Sequence, residues 1–223
     1  MSAGNKIVQN QYHLRFWPYE EYRQSVWAIL VSDFFQFYVP EASHVLDLGA
    51  GWGEFINNID AVQKYAMDIN PEGKLRIHKD VIFINQDCAK RWPIKDSSLD
   101  IIFTSNFLEH LLTKQMLEQT ITEAVRCLKE RGKLICMGPN IKHIPGGYWD
   151  FWDHHIAITE KSIAELLQIK GFIIDKCFDR FLPYSMSQGW TPPMIFIKLY
   201  LKIPLLWKLF GKQFLVIASK KPK

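Results

Sequence analysis

Val45-Leu46-Asp47-Leu48-Gly49-Ala50-Gly51-Trp52-Gly53-Glu54 is the stretch that decides the fold. An apolar run ends in an acid, and glycines then alternate with other residues. Glycine lets a backbone turn sharply and lets a ligand approach without a Cβ in the way. Strand, glycine turn and helix start in this order resemble a nucleotide-binding βαβ unit. The spacing is G-x-G-x-G, not the G-x-G-x-x-G of dinucleotide enzymes, and Asp47 stands two residues before the first glycine. A carboxylate there repels a pyrophosphate and attracts an ammonium or sulfonium group. The pattern therefore disfavours a NAD-linked oxidoreductase. The ligand it implies is S-adenosylmethionine (SAM), which carries both cations.

Outward from this loop, segments of strand and helix character alternate. Strands are expected over residues 44–48, 64–68, 81–85, 99–104 and 133–138, and helices over 18–38, 53–59, 114–129 and 159–170. In the first helix Tyr22, Val26, Ile29, Leu30, Phe34 and Phe37 recur near helical spacing, with Pro18 in the first turn and Pro40 past the end. Thr159 is the expected N-cap of the last of these helices and Gly171 its C′ residue. Such alternation implies a mostly parallel sheet covered on both faces. Strands at 172–181 and 213–219 close the chain, and the thirty-odd residues between them are too many for a hairpin turn, so something is inserted there.

The 223 residues, 48% hydrophobic and 22% charged, fit a single domain with a substantial core. Residues 1–6 contain no apolar stretch of the signal-peptide kind. Cys88, Cys127, Cys136 and Cys177 are widely spaced without C-x-x-C, as expected of reduced, mostly buried thiols in a cytoplasmic protein rather than of a disulfide or zinc framework. The net charge of +4 hides an asymmetry: no Asp or Glu follows Asp179, so the chain from Arg180 onward carries +8 and the part before it −4. A separated basic end suits either a solvated lysine face or an anionic neighbour.

These residues together resemble the class I (Rossmann-like) SAM-dependent methyltransferases along nearly the whole chain. Residues 45–54 look like the family's first motif, Tyr65-Ala66-Met67-Asp68 like its second-strand acid, and Asn85-Gln86-Asp87-Cys88 like its adenine-side acid. Residues 92–102 are similar to the stretch before strand four. More narrowly, residues 53–59, 148–155 and 211–214 resemble a bacterial subgroup often encoded among glycan or secondary-metabolite biosynthesis genes. The resemblance implies an α/β fold: a seven-stranded Rossmann-like sheet, mostly parallel with the last strand antiparallel, and helices on both faces. It implies one domain over 1–223, with an N-terminal helical cap (1–40) and a helical insertion (182–212) forming an acceptor wall or lid.

The same resemblance assigns cofactor contacts. Gly49, Gly51 and Gly53 would wrap the methionine portion, Asp47 attract the amino group, Asp68 and the adjoining Ile69 meet the ribose side, Asp87 and Cys88 the adenine, and Asn106 the cofactor floor. Methyl transfer is an in-line displacement, so the protein contributes alignment and desolvation, with a base only if the acceptor holds its proton tightly. His110 after strand four, and His154 or His155 in the loop after strand five, are the candidate catalytic bases, with Asp153 able to orient a histidine. Some relatives bind a divalent ion at an E-x-x-E-H motif. Here Asn106 occupies the first position, a poorer ligand, and no metal is expected. Tyr148, Trp149 and Trp152 suit stacking on sugar or ring faces, and Tyr12 and Arg15 belong to a segment that would close over the site, Arg15 meeting a carboxylate or phosphate.

Within the insertion, Lys198 and Lys202 stand on one helical face among apolar residues, and Pro204 interrupts the helix. The pattern favours an amphipathic helix packed on its own domain or on a second subunit as a homodimer, and it also suits shallow contact at the inner face of a membrane. The function expected is methyl transfer to a hydroxyl of a sugar or glycan-related acceptor. A small-molecule N- or O-methyltransferase of secondary metabolism comes second. A nucleic-acid methyltransferase comes third, because the basic residues are interspersed with aliphatic runs and no RNA-binding module is appended. A SAM-binding protein without catalysis is the remaining alternative.

Overall fold

The computed structural model describes residues 19–184 and 191–222. Seven strands form one sheet: β1 (His44–Leu48), β2 (Gln63–Asp68), β3 (Val81–Asn85), β4 (Leu99–Ser105), β5 (Leu128–Pro139), β6 (Phe172–Phe178) and β7 (Gln213–Lys220). Their order is β3-β2-β1-β4-β5-β7-β6. β1 to β5 pair in parallel, and β7 runs antiparallel to both β5 and β6. The order therefore reverses between β1 and β4, and the crevice at the carboxyl ends of these two strands is where such sheets bind ligands.

Side chains alternate across the sheet, as a period of two requires. Leu46, Leu48, Ile102, Leu134, Cys136, Phe214 and Val216 enter one core, beneath α2 (Lys114–Cys127) and α3 (Glu160–Ile169). Val45, Ile101, Phe103, Ile135, Met137, Leu215 and Ile217 enter the other, with residues from α1 (Glu20–Asp33), α4 (Met194–Lys202) and α5 (Pro204–Phe210). Thr113 caps α2 by accepting the Met116 N–H. Thr159 and Ser162 form a reciprocal capping box on α3, and Gly171 follows it at φ +90°, the left-handed position that glycine adopts freely. The second core is aromatic at its centre: Phe55 and Phe103 stack at 3.7 Å between ring centroids, and Phe35 packs edge-on to Phe103 at 5.0 Å.

Several expectations are corrected. No helix forms over residues 53–59. Phe55, Ile56 and Ile59 are buried as a helix would place them, but the turn is not propagated. The Asn57 side chain bonds the Arg76 carbonyl and the His78 N–H, and Asn58 bonds back to the Glu54 carbonyl. Asparagine side chains compete with helical bonding in this way. α1 ends at Asp33 and a 3-10 turn, Phe35–Tyr38, follows. That change of pitch turns Phe35 into the core and leaves Phe37 88% exposed. β5 begins at Leu128, not 133, because Leu128 pairs with Leu99 ahead of a bulge. β6 stops at Phe178, the last residue paired with β7. Three cysteines are buried, whereas Cys177 is exposed.

Phe103 carries the aromatic core and is 1% exposed. Phe103→Ala removes its contacts with both Phe55 and Phe35 and is expected to lower unfolding stability by about 3–5 kcal/mol, read from the shift in a denaturant titration.

Candidate active site

The loop after β1 is held by its neighbours rather than by a following helix. Gly49, Gly51 and Gly53 have φ of +73°, +53° and +77°, values that side chains rarely adopt. The space beside Gly49 is not open: a Cβ there would lie 2.2 Å from the Phe107 ring, and one at Gly53 would lie 2.4 Å from Ile77. Asp68, at the end of β2, accepts the Gly51 N–H through Oδ2 and the Asn70 N–H through Oδ1, each at 2.8 Å. Burial raises its pKa against these hydrogen bonds. From the other side, Arg23 of α1 pairs with Glu54 at 2.5 Å, and Arg76 pairs with Glu20 while its guanidinium lies 4.5 Å over the Trp52 ring.

Asp47 sits beneath this loop, 4% exposed. No lysine, arginine or histidine forms an ion pair with it among the described residues. Burial pushes its carboxyl well above the usual range, with Glu54 and Asp68 adding repulsion and the Ile56 N–H partly opposing them. A buried carboxylate without a cation is costly, so the position is suited to receive an ammonium group from a ligand. The residues thus fit the cation-bearing cofactor that the sequence implies.

The remaining expected cofactor residues lie around the same crevice or at its edge. Ile69 is half exposed beside Asp68. Asp87 follows β3, and its Oδ1 accepts the Ala89 N–H. Cys88 is buried: its carbonyl accepts from the Trp92 indole and its sulfur from Thr120, and burial pushes its thiol up to about 11. Asn106 adopts φ +48° and donates its N–H to the Met137 carbonyl. A left-handed conformation is more tolerable for asparagine than for most residues.

The histidines separate into two environments. His110 Nδ1 lies 3.0 Å from the Asp153 carbonyl and 3.2 Å from its carboxylate, and the His154 ring lies 4.9 Å from the His110 ring. Burial opposes protonation of His110, but the hydrogen bond to Asp153 and the charges of Glu109 and Asp153 outweigh it and raise its pKa. With Nδ1–H donating to Asp153, Nε2 keeps its lone pair. His154 is buried, whereas the His155 side chain faces solvent and its N–H bonds the Glu109 carbonyl. Glu109, His110 and His154 each offer a ligand atom within 4.8 Å of the others, a set that could hold a cation even though position 106 is asparagine.

The loop after β5 is hung on buried polar contacts that sequence reading did not single out. Asn140, fully buried, donates to Glu160 at 2.7 Å and to the Asp179 carbonyl at 2.9 Å. Burial would raise the Glu160 pKa, but Lys142 and Asn140 together lower it. Tyr148 is corrected from acceptor contact to core pillar: it is fully buried, and its hydroxyl donates to the Ile156 carbonyl at 2.5 Å. Trp149 and Trp152 are exposed, at 52% and 85%. Tyr12 and Arg15 lie outside the described residues. The signal for Asn140 and Glu160 was weak, because neither stands in a spacing that marks chemistry. Their partnership depends on β5 and α3 being brought together.

A stability measurement isolates Asp47. Its folded pKa is raised, so its contribution is most favourable below the ordinary carboxylate range and is lost as pH rises through the folded value. Asp47→Asn keeps an acceptor for the Ile56 N–H without the charge. The ligand-free variant is therefore expected to melt above the parent at about pH 7, the gap closing toward about pH 3. Equal melting curves at both pH values would contradict the buried-charge assignment.

Comparison with known proteins agrees with the fold. Residues 46–136 match the family model described as a methyltransferase domain. No curated protein sequence matches the chain. Among solved structures, a SAM-dependent methyltransferase from Thermotoga maritima, described as a possible histamine N-methyltransferase, shares 16% identity over 97% of each chain with a TM-score of 0.66. A SAM-dependent methyltransferase from Archaeoglobus fulgidus shares 21% identity over 89% of this chain and 94% of its own, with a TM-score of 0.63. The [4+2]-cyclase SpnF shares 15% identity over 86% and 81%, with a TM-score of 0.61. At such identities the likeness to solved structures is one of fold, and the cyclase illustrates that a fold does not by itself fix a reaction. The matched domain over residues 46–136 and the buried acid under its glycine loop together support a methyltransferase enzyme that uses SAM, built on a Rossmann-like fold.

Proposed function

We propose that the enzyme methylates a hydroxyl of a sugar or glycan-related acceptor, with His110 as general base. The observation that carries this reading is the His110–Asp153 pair at the carboxyl end of β4. Asp153 fixes the ring and its tautomer, and Nε2 is left to accept the hydroxyl proton. An alcohol needs such help, whereas a neutral amine attacks without it. Bound SAM supplies an electrophilic methyl on sulfur. The chain's own residues would hold it: Asp47 would face the amino group, Asp68 and Ile69 the ribose, Asp87 and Cys88 the adenine, and Asn106 the floor. The exposed Trp149 and Trp152 offer planes for a sugar face, and the inserted helices α4 and α5 would form the acceptor wall. His154 packs behind His110 and supports it. His155, facing solvent, is assigned no proton transfer. A small-molecule acceptor of secondary metabolism is the runner-up.

Asp68→Ala should abolish SAM binding in a calorimetric titration, and an unchanged affinity would refute the contact between Asp68 and the ribose.

His110→Ala should lower kcat by about a hundred- to ten-thousand-fold with SAM affinity retained. Turnover should fall as pH drops through the raised His110 pKa, and Asp153→Asn should move that limb to lower pH, since it removes a group that holds the value up. The assay is methyl transfer from labelled SAM to candidate glycans and metabolites, read by mass for the gain of one methyl group. Full activity of His110→Ala would favour an amine acceptor. Loss of activity on chelation, restored by a divalent ion, would move Glu109, His110 and His154 from base to ligands.

A further inference from the structure

α4 and α5 are joined through Ile203 alone and are fastened to the domain on one side. Ile197, Leu201 and Trp207 are buried. The Trp207 indole donates to the Tyr200 carbonyl at 2.8 Å, and the Tyr200 hydroxyl donates to the Phe181 carbonyl at 2.6 Å. The other side of a surface helix is ordinarily polar. Here it is not: Ile195, Phe196, Leu199, Leu205, Leu209 and Phe210 are each between 46% and 64% exposed. Lys198, Lys202, Lys208 and Lys212, all exposed, are spread among them, and none forms an ion pair among the described residues. No Asp or Glu follows Asp179 in the sequence.

We infer that this face docks on an anionic lipid bilayer. Large exposed apolar side chains mark a contact surface, and the charge selects the partner. A bilayer of acidic lipids meets both demands: the apolar side chains enter the boundary between headgroups and acyl chains, and the lysines stay at the level of the phosphates. A second copy of the chain fits worse, because a two-fold contact sets the same basic face against itself with no carboxylate to offset it. No helix among the described residues is long and apolar enough to cross a membrane, so the contact is shallow.

The segment that precedes this face in the chain meets the loop after β5. The segment leading into the hairpin is bonded to Asn140 through the Asp179 carbonyl, and Tyr184 packs 5.6 Å from the Phe151 ring. Docking through the helices that follow this segment would suit an acceptor carried on a lipid. That last step rests on the sugar-hydroxyl reading above, and the docking does not.

The test is co-sedimentation of the full chain with vesicles of phosphatidylcholine alone and with about 30 mol% phosphatidylglycerol. The protein is expected to pellet at least about tenfold more with the anionic vesicles, less so as salt rises. The double variants Lys198→Glu with Lys202→Glu, and Phe196→Ser with Leu209→Ser, should each weaken pelleting about tenfold or more. Their melting temperature and SAM affinity should match the parent, which separates failure of docking from failure of the cofactor site. Equal partition on both vesicles, no pelleting, or variants that pellet like the parent would overturn the proposal. So would a dimer in sedimentation velocity, or an acidic protein partner, that the same substitutions disrupt while vesicle binding is absent.

Discussion

A carboxylate buried without a cation is the constraint around which the crevice is organised. Asp47 is carried into the interior by β1, where the residues on either side of it, Leu46 and Leu48, must face a core. Its charge has only the Ile56 N–H and repulsive acids nearby. The position is therefore one that an ammonium group of a ligand would suit. The same arrangement would penalise a pyrophosphate, which separates this strand-turn-strand unit from the dinucleotide binders.

The glycine loop above Asp47 is shaped by its neighbours. Phe107, coming from β4, occupies the volume a side chain at position 49 would need, and Asp68, from β2, takes the Gly51 N–H. Three neighbouring strands of the sheet, β2, β1 and β4, thus each contribute to one turn. α1 adds the Arg23–Glu54 pair from outside the sheet. A βαβ loop usually rests on the helix that follows it; here a single buried turn, Phe55 to Ile59, replaces that helix.

The loop after β5 obeys a different rule. It carries exposed tryptophans and the acid that orients His110, yet it is anchored by groups with no reactive role: the Tyr148 hydroxyl on the Ile156 carbonyl, and Asn140 between Glu160 and the Asp179 carbonyl. Buried polar groups of this kind are specific because each partner would be costly to leave unsatisfied. They hold Asp153 where His110 can meet it, and they tie the loop to the segment that leads into the basic, apolar hairpin.

The amino-acid sequence by itself determined the alternation of strands and helices, the reversal implied by a glycine loop after the first strand, the acid beneath it and the antiparallel last strand. The alternation and the acid under the glycines rest on local periodicity and on a motif of a few consecutive residues, whereas the reversal and the antiparallel last strand followed from the resemblance to class I methyltransferases along nearly the whole chain. It did not determine that the Asn57-Asn58 turn would stop short of a helix, that Phe35 rather than Phe37 would enter the core, or that Tyr148 would be a buried pillar. Nor did it determine which histidine would meet Asp153, or which side of the inserted helices would be left uncovered. Those were decided by tertiary structure, because each depends on hydrogen bonds and packing between segments far apart in the chain, and no spacing within one segment records which distant group will fill a volume or accept a proton.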